Sequence, residues 1–571
     1  MNKNNLNNVR SKRSSADHLE QIFLAGIRPY IWTMGVGFLL YFKSMFFGFV
    51  YFDDNSLIID NFFFLKDIVN ITKIFTQGVF HVIHAPETYY RPMLTLSFIL
   101  DAQMRGLDPF FYHLTNIILH LVSSVLVFVL FVKMKYRKDL SFLFSMIFTV
   151  HPVLTQAVAW IPGRNDTLLA VFLIPSFIFF LNYLDKAKRL DLLCHILFLA
   201  LALFTKEAAL GLILICAFYL HAIAKEKLFS SSERKLAAGW LFVMVIWFLL
   251  RRIALTIPMQ MTVLDMFKSL WLNLPALIQF TGKILFPYNL SVLPIIQDTS
   301  FVPGIAAIMV MLIVLFMTKA RRNNYIIFGL LWFLLFLLPA FVRPNPDVVA
   351  DFIEHRSYVP MIGFMIMLME TSIIKTVDLK KSGSLVITAL LIASLSYITF
   401  IHLDNFKDPL SFWKNAVRNS PHHPLAHRNL GAMYYLNRQF DNAETEYKKA
   451  LELSPNEPMV HNNLGLIYMN RGHLKEAEIE FLKENAGNPL WDNLHYNMGL
   501  LYAREGRLKD AEAQWKKTIL INPDHGDALY HLAAYYYEVK EYALAKYYVL
   551  EARKRGVQID PEFLKALNGS R

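Results

Sequence analysis

From Pro29 to about His402 apolar stretches alternate with short polar turns, and from Asp404 onward the apolar stretches stop and charged helices take over. About 20 apolar residues cross a bilayer core as helix. Stretches near that length fall at roughly 29–50, 110–133, 140–160, 167–184, 191–205, 208–224, 237–257, 303–318, 325–342, 357–374 and 384–402, which predicts about eleven spans. A twelfth candidate, 268–286, carries Lys268 and Lys283 and is interrupted by Pro275. Residues 1–28 are polar and basic, with no small-residue cleavage site after the apolar stretch that follows, so the first span is expected to stay uncleaved.

The last part of the chain is periodic. Leu430, Gly431, Tyr434, Ala443, Tyr447, Ala450 and Pro455 return 34 residues later as Leu464, Gly465, Tyr468, Ala477, Phe481, Glu484 and Pro489. They return again as Met498, Gly499, Tyr502, Ala511, Trp515, Thr518 and Pro523. A weaker fourth copy gives Leu532, Ala533, Tyr536, Ala545 and Ala552, and a half-copy of Trp413, Ala416 and Pro421 leads in. This is the period of the tetratricopeptide repeat, in which small residues let paired helices approach and aromatics fill the gap between them. Such a solenoid binds polypeptide segments more often than it does chemistry. The chain therefore reads as all-α in three parts: an N-terminal segment 1–28, a polytopic membrane domain 29–402, and a repeat domain 403–571 of about four repeats.

Composition agrees. Of 571 residues 55% are hydrophobic and only 18% charged, whereas soluble chains carry about a quarter charged residues. The two cysteines, Cys194 and Cys216, both lie in apolar runs, which excludes a disulfide-stapled secreted domain. A net charge of +12 would point to nucleic acid if it formed one patch. Instead the basic residues of the membrane part fall in alternate turns, at 133–138, 186–189, 225–235, 319–322 and 375–381. A cytoplasmic N-terminus puts all of them inside, as the positive-inside rule requires, and leaves no case for a nucleic-acid partner. Counting 268–286 as a span would move Lys319, Arg321 and Arg322 outside, so that segment is predicted to lie at the interface or re-enter on the outer face. The odd span count then predicts a multi-pass cytoplasmic (inner) membrane protein whose repeats are extracytoplasmic.

The outer turns carry the candidate chemistry. Asp53 and Asp54 follow span one, and adjacent carboxylates at a membrane boundary are costly unless hydrated, paired or functional. One could act as general base toward a hydroxyl, and the alternative is a helix cap. Tyr90-Arg91-Pro92 precedes Tyr112, His113, Asn116 and His120, the last three on one helix face, as a site or as glue between helices. His151-Pro152 and Gly163-Arg164-Asn165-Asp166 bracket the next outer turn. Lys206 and Glu207 sit in a turn between short spans, where they pair or where Lys206 holds a phosphate. Glu354-His355-Arg356 introduces span ten after a loop beginning at Arg343; an arginine at a helix N-terminus suits an anion, or it snorkels to headgroups. Walker, CxxC and GxSxG motifs are lacking, so ATP phosphoryl transfer, thiolate-zinc chemistry and serine hydrolysis have no support.

In this order, YFDD, YRPMLTLSF, GLDPFFYHLTNIILH, HPVLTQAVAWIPGRND, FTKE and EHRSYVP, followed by a tetratricopeptide array, resemble the transmembrane-and-tetratricopeptide-repeat protein O-mannosyltransferases and their prokaryotic relatives, members of the GT-C class of polytopic glycosyltransferases. The resemblance implies a polyprenyl-phosphate-linked donor of mannose or another hexose, a Ser/Thr hydroxyl of an exported protein as acceptor, and inverting transfer on the extracytoplasmic side. It implies Asp53 as base with Asp54 as loop support or second acid, and Arg91, Lys206 and Arg356 as ligands of the donor phosphate. Tyr90, His113, His151, Arg164, Asp166, Glu207 and Glu354 are then supporting residues, and the repeats bind acceptor polypeptide. No cofactor is implied with certainty; a divalent metal stays open, and no metal ligands are assigned. The chain departs from the family in having Leu154-Thr155-Gln156 after His-Pro, and in placing His355 between Glu354 and Arg356. Two alternatives stand beside this reading: a transferase acting on a lipid or envelope glycan, and a non-catalytic membrane scaffold with a docking array.

Overall fold

The GLDP turn shows how the chain starts its long helices. The Asp108 carboxylate accepts from the Phe110 N–H at 3.1 Å and Pro109 fills the first helical position, so the helix begins where its apolar run begins. The computed structural model describes residues 21–83, 89–227, 230–255, 262–319, 321–342 and 352–569. Arg343, where the loop before span ten begins, lies outside the described residues. The chain divides into two units, Met1–Ser420 and Pro421–Arg571.

The main helices of the first unit are α1 (Arg28–Tyr41), α2 (Pro92–Arg105), α3 (Pro109–Lys133), α4 (Lys138–Val150), α5 (Arg164–Lys186), α6 (Arg189–Thr205), α7 (Leu210–Phe218), α8 (Ser231–Ala254), α9 (Val263–Asn273), α10 (Ala276–Leu285), α11 (Val302–Met317), α12 (Asn323–Leu337), α13 (Pro360–Met369), α14 (Ser382–Leu403) and α15 (Pro409–Asn419). Each of the eleven apolar segments contains a helix. Among the described residues five stretches are long and apolar enough to cross a membrane: Pro109–Lys133, Ile161–Lys186, Ser231–Ala254, Asn323–Phe341 and Ser382–Phe406. Lys138–Val150 with Pro152–Ala159, bent by 51° at His151, makes a sixth if the pair is counted as one span. Pro152 has no N–H to continue the helix, and His151 Nδ1 accepts from the Val153 N–H at 3.2 Å to close the bend.

The turns sort into two groups that contact only within themselves among the bonds that follow. At one end Lys133 pairs with Asp185 at 2.7 Å, Asn324 donates to the Ala222 carbonyl, and Glu370 gathers Tyr136 at 2.9 Å, Lys375 at 2.7 Å and Arg322. At the other end Lys43 pairs with Asp404 at 2.8 Å and Arg91 with Glu207 at 2.8 Å. The segment 268–286 belongs wholly to the second end. It breaks at Pro275 between α9 and α10; Ser269 and Asn273 donate to the Phe341 carbonyl at 3.0 and 3.2 Å, and Lys283 pairs with Glu354 at 2.5 Å. Phe341 closes the stretch that starts beside Arg322, and Glu354 precedes α13, which ends at Glu370, so both ends of the segment meet the same end of the bundle.

Helix contact is closest where side chains vanish. A Cβ on Gly363 would collide with the Gly329 carbonyl and one on Gly329 with the Gly363 carbonyl, so α12 and α13 touch backbone to backbone as small residues allow in membranes. In the second unit, α16 (Pro424–Leu436) to α23 (Tyr542–Lys554) form four helix pairs and α24 (Pro561–Gly569) follows. A Cβ at Gly431 would lie 2.7 Å from the Tyr447 ring and one at Gly465 2.6 Å from the Phe481 ring; Gly499 faces Trp515 in the same way. The pairs are also stitched by a repeating bond: His427 to Glu446 at 2.6 Å, His461 to Glu480 at 2.6 Å and His495 to Gln514 at 2.8 Å. The lead-in helix α15, which the sequence assigns to 403–571, lies in the first unit, with Phe412 and Trp413 buried against Phe52 at 6.1 and 5.5 Å.

Candidate functional site

Chain geometry at the end of span one is unusual. Tyr51 has φ +56°, a left-handed conformation uncommon for a bulky residue, and the strain sits two residues from Asp53. Asp54 occupies the cap position of the helical turn Asn55–Ile59 but its side chain makes no capping bond; it accepts from the Phe52 N–H at 3.5 Å. Its carboxyl is buried, which raises its pKa to about 7, and the neighbouring Asp53 charge adds to the rise. Asp53 is half-buried, and its carbonyl accepts from Leu57 at 3.0 Å.

The turns at this end of the bundle interlock through crossed ion pairs. Arg91, at the start of α2, makes a two-pronged contact with Glu207 at 2.8 and 3.4 Å. Lys206 donates to both oxygens of Asp166, at 2.8 and 3.0 Å. Asn165, in the amide orientation that satisfies its neighbours, accepts from Arg91 at 2.9 Å and donates to the Thr205 carbonyl at 3.1 Å. His355 Nε2 lies 3.6 Å from Asp166 Oδ2, and the half-buried Arg356 follows it in the chain. His355 is pushed well below the ordinary histidine range by burial and then by the cations of Lys206, Arg356 and Arg91. Its ring lies 5.4 Å from Trp160, which stacks at 5.5 Å on Phe52. A continuous path of contacts thus leads from the cations to the chain neighbour of Asp53.

The predicted residues separate into two groups. Arg91, Lys206, Asp166 and Glu207 share one cluster, with Arg356 adjoining it through His355, and Asp53 and Asp54 stand beside Phe52 at its edge. The others hold the frame. Arg164 is wholly buried and bonds Asp101, Asn116, Ser97 and the Tyr112 carbonyl. Asn116 also donates to the carbonyls of Val158, Trp160 and Ile161, and His120 bridges Tyr358 and the Thr149 carbonyl, so this face of α3 works as glue between helices. Tyr90 donates to the Phe75 carbonyl, His113 is buried against the Phe47 ring, and His151 meets the Ile284 carbonyl. Glu354 turns into the interior, where Lys283 holds its carboxyl below the usual range against the opposing pull of burial.

Sequence reasoning missed His355, Trp160, Asn165 and Lys283. His355 stood only as an interruption between Glu354 and Arg356, and no local spacing marks Lys283 as the partner of a residue 71 positions away. Among the described residues no group of three or more His, Cys, Asp or Glu side chains is placed to hold a metal ion, and no metal ligands are assigned. A cavity of about 650 Å³ lies among Trp32, Arg137, Phe142, Lys380 and Ile392, at the opposite end of the bundle from the ion-pair cluster.

Comparison with known proteins falls on the same two parts. Residues 433–472 match the family described as TPR repeat, and residues 496–557 the family described as Tetratricopeptide repeat. The chain is 33% identical over 205 residues to human protein O-mannosyl-transferase TMTC3, covering 34% of this chain and 21% of that protein. It is 33% identical over 141 residues to mouse protein O-mannosyl-transferase TMTC1, covering 23% and 15%. With the Caenorhabditis elegans protein O-mannosyl-transferase F38B6.6 it shares 24% identity over 446 residues, 74% of this chain and 62% of that one. The matches to the two mammalian relatives thus span about a fifth of their length or less. The chain is a polytopic helical membrane protein with a tetratricopeptide array. It is similar in sequence to the transmembrane and tetratricopeptide-repeat protein O-mannosyl-transferases.

Proposed function

We propose that this protein transfers a hexose, mannose first among candidates, from a polyprenyl-phosphate donor to Ser/Thr hydroxyls of exported polypeptides. The observation that carries the proposal is the cluster in which Arg91 pairs with Glu207 while Lys206 and His355 meet Asp166, two ring contacts from the Asp53-Asp54 turn. Arg91 and Lys206 set two permanent cations in this cluster, with Arg356 next to His355 in the chain, and such a setting suits a phosphate leaving group that must carry away the electron pair of the anomeric C–O bond. Asp53 takes the proton of the acceptor hydroxyl as its oxygen attacks the anomeric carbon from the opposite face, and the configuration inverts. Asp54, with its pKa near 7, carries a proton for part of the time at neutral pH and then places no second negative charge beside the base. The names of the similar proteins support protein O-mannosylation as the reaction class. In this reading eleven spans and a cytoplasmic N-terminus put the site and the repeats outside, and the repeats hold acceptor polypeptide.

Purified protein supplied with polyprenyl phosphate mannose and a Ser/Thr peptide tests the reading. Transfer that falls about a hundredfold or more in Asp53→Asn, the scale of lost base assistance, supports it. Near-normal turnover in both Asp53→Asn and Asp54→Asn overturns the mechanism.

A further inference from the structure

Two polar atoms in the middle of the site have no work to do within the fold. Trp160 Nε1 and His355 Nδ1 are buried, and among the described residues neither has a hydrogen-bond partner. Buried polar atoms are nearly always paired, so two orphans in rings 5.4 Å apart call for an explanation. Their rings come from distant stretches of the chain: Trp160 ends the bent part of the third span, and His355 lies in the turn Glu354–Ser357 before α13.

The surroundings define what each atom offers. An indole nitrogen is a donor only. For His355, the Asp166 carboxylate 3.6 Å from Nε2 favours the tautomer with the proton on that nitrogen, which leaves the Nδ1 lone pair as an acceptor. Burial and the cations of Lys206, Arg356 and Arg91 keep the ring neutral. One donor and one acceptor therefore sit on rings whose centroids are 5.4 Å apart. On one flank stands the cation cluster, and on the other Phe52, stacked on Trp160 at 5.5 Å and followed in the chain by Asp53. Neighbouring hydroxyls on a ring bonded to phosphate meet both requirements: one donates, the other accepts, and the ring lies between phosphate and base. The stacked Phe52 and Trp160 rings also supply an apolar wall for the C–H face of such a ring.

We infer that Trp160 Nε1–H and His355 Nδ1 form the sugar subsite, pairing with two adjacent hydroxyls of the hexose carried by the lipid phosphate. This rests on the transferase reading above and adds the residues that read the sugar. Both atoms are shielded from solvent, so a hexose pairs with them only after side chains around the two rings shift.

Binding to the purified full chain tests it, with polyprenyl phosphate and the same lipid carrying mannose as the two probes. Wild type should prefer the mannosyl lipid by about tenfold or more, the scale of one or two net hydrogen bonds. Trp160→Phe keeps the stack and removes only the N–H; His355→Phe removes the acceptor. Each should lose about five- to fiftyfold in affinity for the mannosyl lipid while affinity for the bare lipid stays within about twofold. His355→Asn, which can place an amide oxygen near the Nδ1 position, should recover part of the preference. Equal losses for both lipids, or no change in either, overturn the subsite; if His355→Phe fails to fold, Trp160→Phe decides the matter. A wild type that binds both lipids equally removes the subsite alone, whereas one that binds neither removes the transferase reading and the subsite with it.

Discussion

Lys206 holds both carboxylate oxygens of Asp166, at 2.8 and 3.0 Å, although an acidic residue follows it directly in the chain. The backbone explains the choice. Lys206 is extended, with φ −158° and ψ 135°, and consecutive side chains in extended chain point to opposite sides. Lys206 therefore faces α5 while Glu207 faces Arg91 at the start of α2, and one short turn ties three parts of the bundle together.

Substitution separates the structural part of that tie from its proposed phosphate role. Lys206→Met removes the cation bonded to both oxygens of the buried Asp166, and should lower stability by roughly 3 kcal/mol, the scale for breaking one side of a buried pair. Adding Asp166→Asn should restore most of the melting temperature. Affinity for polyprenyl phosphate should stay low in the double variant; full recovery of binding would make Lys206 a purely structural residue.

Asp54 makes stability depend on pH. Its pKa is raised from 3.8 to about 7, so between those values the folded state holds a proton that the unfolded state has released. Its contribution is then most favourable near pH 4 and declines as pH rises toward 7, by up to about 1.4 kcal/mol per pH unit. Asp54→Asn should flatten that decline and make the protein more stable than wild type at pH 8. Melting curves from pH 4 to 8 check this, and parallel curves for the two proteins would place the charge of Asp54 elsewhere.

The elements visible in the sequence are those with a local period. Apolar stretches of membrane length gave the eleven helical segments, and the recurrence of Gly431, Gly465 and Gly499 gave the helix pairs, because each signal lies within a few dozen residues. The cationic residues of the candidate site were legible from their type and their place in turns between apolar stretches. Their partners were not: Arg91 meets Glu207 across 116 positions and Lys283 meets Glu354 across 71, and no periodicity couples such distant turns. Glu354 begins the EHRSYVP element as an expected supporting residue, and its side chain pairs with Lys283 in the interior while its neighbour His355 faces the cluster.

Glycine substitutions offer a test of the close helix contact that needs no assay of function. A side chain at Gly363 must displace the Gly329 backbone, so Gly363→Leu should cost about 3 kcal/mol or more and abolish stable expression. Gly383 has nothing within 4 Å of a Cβ, and Gly383→Ala should be neutral or slightly stabilising through helix propensity. Comparable losses in both variants would mean that the measurement reports insertion rather than the contact between α12 and α13.

Removal of the second unit distinguishes docking from chemistry. Pro421–Arg571 packs its own core through Gly465 against Phe481 and Trp515 among Leu501, Leu532 and Ala533, whereas the buried Trp413 of α15 belongs to the first unit. A chain ending at Ser420 therefore keeps α15 and Phe52 together and should fold. If the repeats hold acceptor polypeptide, the shortened protein should still glycosylate a short Ser/Thr peptide at high concentration. Transfer to a full-length polypeptide should fall by about 10²-fold or more, since tethering acts by raising effective concentration. Side-by-side rates with the two acceptors are the measurement. Equal loss with both, in a truncated protein whose melting shows it folded, would assign the repeats a part in shaping the site and would end the docking reading.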